Sequence, residues 1–280
     1  CSGFDGELKL HDNLDSIQNN AFSNNKNFKG SLVIPNSVTE VKVSAFQDCC
    51  GFNGELVLSS KLKFIDRFCF SGCYGFTGSL KIPETVVQIE SHAFYRCYGF
   101  DGTLTLSPKL SIIDECAFYF CYGLKGDLNI SSQLIYMEMK ERCFEGCSGF
   151  DGSLILPPGL RMIHNFSFSE CSGFKGSLVI PDRIKEIRGN AFYKCTGFNG
   201  NLVLSKNLLY VLDSAFADCS GFSGELIIPA SIKEIHNNAF ANCSGFTGSL
   251  SIPSSITCIK YGTFAGCKGL NGRLSIYSNI

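Results

Sequence analysis

The stretch "CSGFKGSLVIPDRIKEIRGNAFYK" (residues 171–194) decides the fold, because its first eleven residues return almost unchanged as "CSGFTGSLSIP" at 243–253. The cysteines that head these two copies are 72 residues apart, three times 24, and the intervening copies begin at Cys195 and Cys219. A phenylalanine three residues before each cysteine measures the repeat along the chain: Phe22, Phe46, Phe70, Phe94, Phe118, Phe144, Phe168, Phe192, Phe216, Phe240 and Phe264. Every step is 24 residues except the 26 between Phe118 and Phe144. A period in this range marks a solenoid, in which a single coil cannot bury its apolar face until neighbours stack on it.

Within 171–194, Leu178 and Ile180 alternate with Ser177 and Val179, the period of a short strand with one face inward. Pro181 ends that strand, since it has no N–H for a ladder. Ile184 with Ile187, and Ala191 with Phe192, supply two more apolar pairs between polar corners. Gly173 and Gly176 suit a tight corner or close approach by the next coil. Parallel stacking predicts a spacing of about 4.8 Å per coil, so eleven coils span roughly 50 Å. We expect one elongated domain over 1–280, mainly β. Cys1 stands in full repeat register and the chain stops at Ile280 inside a repeat, which leads us to expect a piece of a longer array with its caps elsewhere.

Composition removes several function classes. Twenty-four basic and 25 acidic residues leave a formal net charge of -1 with no long run of one sign, so nucleic acid is not an expected partner. Apolar runs are short and broken by Gly, Pro and Ser, with nothing of membrane-spanning length. The four histidines, His11, His92, His164 and His236, fall in different coils and cannot converge into a catalytic set, and no glycine loop is followed by the Lys-Ser/Thr of a phosphate cradle. We expect no enzyme activity, no cofactor and no metal.

Eleven of the sixteen cysteines occupy one repeat position: Cys1, Cys49, Cys73, Cys97, Cys121, Cys147, Cys171, Cys195, Cys219, Cys243 and Cys267, with Asn25 in the gap. The position suits a small buried side chain that donates to backbone carbonyls at a turn without a ladder of its own. Two sharper alternatives compete with this. Stacked Cα atoms fall within disulfide range, but parallel side chains give poor bridging geometry, and the C-x2-C pairs of a zinc site are missing. Of the other five, Cys69 and Cys143 replace the alanine before the phenylalanine, Cys116 is irregular, and Cys50 and Cys258 are the expected reactive thiols.

The stretch "SIKEIHNNAFANCSGFTGSLSIPSSITCI" (231–259) resembles the BspA-like, or Treponema-type, leucine-rich repeats, whose unit reads I-P-x-x-V-x-x-I-x-x-x-A-F-x-x-C. The resemblance extends over essentially all of 1–280. The unit here is one residue longer than the commoner 23, and serine replaces proline at Ser59, Ser107, Ser131 and Ser205, departures that bear on curvature and not on fold. The resemblance implies a right-handed leucine-rich repeat solenoid, with the cysteine row at the Asn/Cys position of such repeats. It also implies a non-enzymatic protein-binding or adhesion module on a cell surface, with host matrix or another cell-surface protein as ligand. An intracellular scaffold for protein–protein interaction is the alternative, favoured by cysteines that look reduced.

Outward positions carry the candidate binding residues. Tyr74, Tyr98 and Tyr122 follow the cysteine in three successive coils, and Tyr95 and Tyr119 follow the phenylalanine. Tyrosine rings suit interfaces, though stacking among themselves would also account for them. Ile155, Val179, Val203 and Ile227 occupy the outward strand position where other coils carry Lys9, Lys81, Thr105, Asn129, Ser251 and Ser275. They form either an exposed apolar stripe or an ordinary β-branched choice for a strand. The 26-residue coil is expected to bulge within "MEMKERCF" (137–144) and, with Tyr136, to make a distinctive surface. Sequons at Asn129, Asn165 and Asn242 could carry glycans in a secreted eukaryotic chain.

Overall fold

The computed structural model describes residues 4–130 and 135–277, and these form a solenoid of short parallel strands with no helix. Two strand columns run its length. In the first, a buried leucine is followed by an outward residue, as in Leu80–Lys81, Leu104–Thr105 and Leu178–Val179. In the second the order reverses, and Gln88–Ile89 and Glu186–Ile187 put the isoleucine inward. Most strands are only two residues long, because each coil has one inward pair per side before it turns a corner.

Phenylalanine makes the core continuous from coil to coil. The rings from Phe22 to Phe264 stack with centroids 5.1–5.8 Å apart. A second column runs from Phe4 through Phe28, Phe52, Phe76 and Phe100, passes the buried Leu124, and resumes from Phe150 to Phe246. Offset stacking adds to simple burial of such rings.

Between the columns lie linked turns held by residues in the left-handed region, two per coil, such as Asn190 (φ 55) and Lys194 (φ 58). Left-handed backbone at these non-glycine positions carries a steric cost, and here the rungs to the next coil offset it. The N–H groups of Asn190, Phe192 and Lys194 donate to the carbonyls of Asp213, Ala215 and Ala217 at 2.9, 2.8 and 2.9 Å. This corrects one expectation: the turn that holds the cysteine row does have a ladder of its own. The cysteines add to it. Each described ladder thiol donates to the carbonyl of the phenylalanine 27 residues earlier, or 29 across the longer coil, at 2.9–3.0 Å. The ladder cysteines from Cys49 to Cys267 are all free thiols, buried except for the half-buried Cys267, and Cys69 and Cys143 are buried as alanine replacements. Cys116 is also buried, in left-handed backbone, Cys50 is half-buried, and Cys258 is exposed.

Register corrects a second expectation. The second strand column pairs Ile112 with Glu138 and the first pairs Leu128 with Leu154, both at an offset of 26, so the extra residues follow Leu128 and precede Glu138. The coil is therefore in step at Ile130 and already displaced by Glu138, so the two extra residues lie between these and not within 137–144. No rung joins Glu138–Met139 to Met162–Ile163, and the second column divides there into two four-stranded sheets.

A longer period also emerges. Strand pairs in the first column form by twos: Leu32–Val33 with Leu56–Val57, then Leu80–Lys81 with Leu104–Thr105, and so on. Side chains tie each pair. The Ser31 hydroxyl accepts from the Glu55 N–H at 3.0 Å, and the Asn53 amide oxygen accepts from the Gly30 N–H at 2.7 Å. Ser79 with Thr103 and Asp101 with Gly78 repeat this 48 residues later. Some coils carry a buried serine where others have proline: Ser59 donates to the Val38 carbonyl at 2.6 Å and Ser107 to the Glu84 carbonyl at 3.1 Å. Ser131, at the same repeat position, lies outside the described residues, as does Cys1.

The packing makes three testable predictions. A Cβ on Gly173 would sit 2.3 Å from the Ser148 carbonyl oxygen, whereas one on Gly189 would meet nothing closer than 3.4 Å. Gly173→Ala should cost about 3 kcal/mol in urea unfolding, and Gly189→Ala less than about 0.5 kcal/mol. Burial pushes the Cys49 and Cys121 thiols up to about 12 from an ordinary 9.0. These thiols are protonated in the fold while the unfolded chain ionises first. Their contribution is therefore intact below about pH 9 and lost as pH rises toward about 12. The melting temperature should be flat from neutral pH to about 9 and fall steadily above it. Maleimide labelling of the native chain near neutral pH should reach Cys258 first and the buried row only after denaturation.

Candidate binding surfaces

The ten candidate residues fall on three separate surfaces. Tyr74, Tyr98 and Tyr122 stack with centroids 5.2 and 5.1 Å apart and planes within 6°. Tyr95 and Tyr119 make a parallel stack at 5.0 Å, and Tyr119 meets Phe120 edge-on at 4.6 Å. Tyr74 and Tyr122, the ends of their stack, are 43% and 46% exposed, while Tyr98 between them is half-buried. Each ring hides part of its neighbour, so the row offers its edges and its two outer faces.

The second surface is the outward row of the first strand column. Ile155, Val179, Val203 and Ile227 are exposed at 45, 55, 47 and 69%. Val179 stands directly beside Val203 in register, and Ile155 beside Asn129. Sequence reading missed that the row resumes in two earlier coils. Val33 and Val57 pair in the same register, are 52 and 43% exposed, and Val57 borders a cavity of about 590 Å³ with Lys81 and Glu84. The signal was in the alignment, as the same repeat position.

Tyr136 belongs to neither row. It projects from the 26-residue coil with 61% exposure, and two guanidinium groups lie over its ring, Arg161 at 4.7 Å and Arg183 at 5.1 Å. Tyr136 and Arg161 also line a cavity of about 400 Å³ beside the displaced strand Glu138–Met139. Arg161 and Arg183 give the surroundings of Tyr136 a cationic and aromatic character.

Among the described residues, no group of three or more His, Cys, Asp or Glu side chains could hold a metal ion, and no helix is long and apolar enough to cross a membrane. His92 and His164 are held below the usual imidazole range, chiefly by burial. The Asn165 side chain is engaged between coils, its amide donating to Glu141 at 2.8 Å and its oxygen accepting from the Gly189 N–H at 3.0 Å. A glycan there would have to displace both bonds. The exposed Asn242 donates to Asp218 at 2.9 Å. Asn129 is exposed, but its sequon ends at Ser131, outside the described residues.

Comparison with known proteins agrees with this architecture. The model of the BspA type leucine rich repeat region, in six copies, matches residues 6–125, 63–199 and 137–271. Comparison with curated proteins gives no match. Among solved structures, the chain is similar to a leucine rich cell surface protein from Faecalibacterium prausnitzii, at 22% identity and TM-score 0.52, over 95% of this chain and 84% of that one. It is also similar to a leucine-rich repeat protein from Bacteroides ovatus, at 20% identity and TM-score 0.52, over 93% and 82%. At such identities the likeness concerns the fold. With the repeat model matched almost from end to end, the chain belongs to the family of BspA-type leucine-rich repeat proteins.

Proposed function

We propose that this chain is the protein-binding, adhesive part of a cell-surface protein, using the outward row of the first strand column as its contact. The observation that carries this reading is the apolar run Ile155, Val179, Val203 and Ile227, four successive coils exposed at 45% or more. A repeated, unshared apolar position on a register-locked face has no core to serve, and patches of this kind suit protein contact. Leucine-rich repeats typically present extended surfaces to proteins, and one structural neighbour is itself described as a cell surface protein. The family offers repeat scaffolds and no catalytic apparatus, which agrees with a binding role. The free buried thiols also suit the second reading, an intracellular scaffold.

Val179→Ser/Val203→Ser tests the contact without touching the core, since both side chains point outward. Against immobilised collagen, laminin and fibronectin, the unmodified chain should bind at least one, and the double variant should lose about tenfold or more in affinity at unchanged melting temperature. Equal binding by the two proteins removes this row as the contact.

A further inference from the structure

A separate groove follows the turn side of the solenoid across seven coils, from Tyr122 to Lys268, with a volume of about 830 Å³. At the stacking distance of about 4.8 Å it is roughly 30 Å long. Its floor is one repeat position, the residue after each ladder cysteine: Ser148, Ser172, Thr196, Ser220 and Ser244 in five successive coils. All five are exposed, and their hydroxyls take part in no side-chain hydrogen bond among the described residues. Phe120 and Tyr122 close one end, the Tyr122 ring being 46% exposed.

Three features select the class of ligand. Charge is balanced along the groove: Glu170 and Asp218 stand against Lys194 and Lys268, Lys194 lies 3.8 Å from Glu170, and Asp218 accepts from Asn242. Such a groove has no net field for an ionic ligand. Its backbone donors are already used. The N–H groups of Glu170, Lys194 and Asp218 donate to the next coil at 2.7, 2.9 and 2.8 Å, so no open edge remains for an added peptide strand. The spacing also disfavours a peptide, whose side chains on one face recur roughly every 6.6 Å, out of step with a row at about 4.8 Å. A pyranose ring in an extended sugar chain advances by about the width of one coil. Its hydroxyls both donate and accept, as those of Ser and Thr do, and its C–H face stacks on an exposed aromatic ring.

We propose that this groove binds a neutral polysaccharide chain along the solenoid axis, one hydroxyl per coil reading successive rings, with Tyr122 as the stacking platform at one end. This site is independent of the outward apolar row, which lies on the first strand column.

Isothermal titration of the 280-residue chain with four neutral hexasaccharides tests it: β-1,4-glucan, β-1,3-glucan, α-1,4-glucan and β-1,4-mannan. At least one should bind in the millimolar range or tighter. Ser172→Ala/Thr196→Val/Ser220→Ala, which removes three exposed hydroxyls and leaves the core intact, should weaken that binding about tenfold or more. Val179→Ser/Val203→Ser should leave it unchanged, which keeps this result separate from the protein-contact test. Absence of binding by all four sugars, equal affinity in the triple variant, or binding of a capped hexa-serine peptide in place of any sugar would overturn the proposal.

Discussion

From Gly51 onward, each coil lies so close to the one before it that a single hydrogen atom is all the space allows at one point of the turn. At Gly51, Gly75, Gly99, Gly123, Gly149 and their successors, a Cβ would come within 2.1–2.3 Å of a carbonyl oxygen of the preceding coil. Backbone rungs impose this spacing, and side chains must accept it by stacking on copies of themselves. Phenylalanine does so with ring centroids a little farther apart than the rungs, offset and nearly parallel. The cysteine row answers the same constraint. Asn25, the one residue that replaces it, donates to the carbonyl of its own coil's Phe22, at 2.8 Å, but leaves its Oδ1 buried without a partner among the described residues. An unpaired buried acceptor costs about 1–3 kcal/mol, and a thiol, a small donor with little need of a second partner, avoids that penalty.

The period, the inward rows and the solenoid were legible because each is a constraint repeated in the alphabet itself: Leu178 and Ile180 inward, Val179 outward, Gly173 against a backbone. What escaped was written in residues that act through conformation or through the neighbouring coil. The left-handed positions carry Asn190, Phe166, Arg142 or Cys116, residue types with no shared chemistry, because the rungs and not the side chains hold that backbone. The two-coil alternation is spelled by Asn53 and Asp101 against Ser31 and Ser79, ordinary polar residues whose meaning appears only when their partners are seen across the gap. The alternation slips at the coil headed by Cys243, where Thr247 replaces the Asn or Asp, and no strand is present over 226–228.

Candidate contacts were legible only in part, for a related reason. Outward positions are free of the core's demands, so their composition reports exposure but not grouping. The tyrosine stacks were found because aromatic residues stand out at successive periods. The hydroxyl floor from Ser148 to Ser244 occupies the same repeat position yet looked like filler, since serine is the default of a polar corner. Tyr136 was placed at the right coil, but its guanidinium neighbours come from Arg161 and Arg183, one and two coils farther on, a proximity created by stacking alone.

The 26-residue coil explains how one solenoid can carry surfaces of different character. In the three coils leading up to it the outward row, apolar earlier at Val33 and Val57, reads Lys81, Thr105 and Asn129, and the row after the cysteine reads Tyr74, Tyr98 and Tyr122. On its far side the first becomes Ile155, Val179, Val203 and Ile227, and the second becomes Ser148, Ser172, Thr196, Ser220 and Ser244. Both changes fall at the same coil, while the phenylalanine column crosses it with Phe118 and Phe144 still 5.1 Å apart. The extra residues are spent between Ile130 and Glu138, one sheet is interrupted beyond them between Glu138–Met139 and Met162–Ile163, and the chain regains register before the next core residue is due. A solenoid can thus divide its outside into segments without dividing its core, because neighbours are coupled only through rungs and stacked rings, and either set can be broken while the other continues.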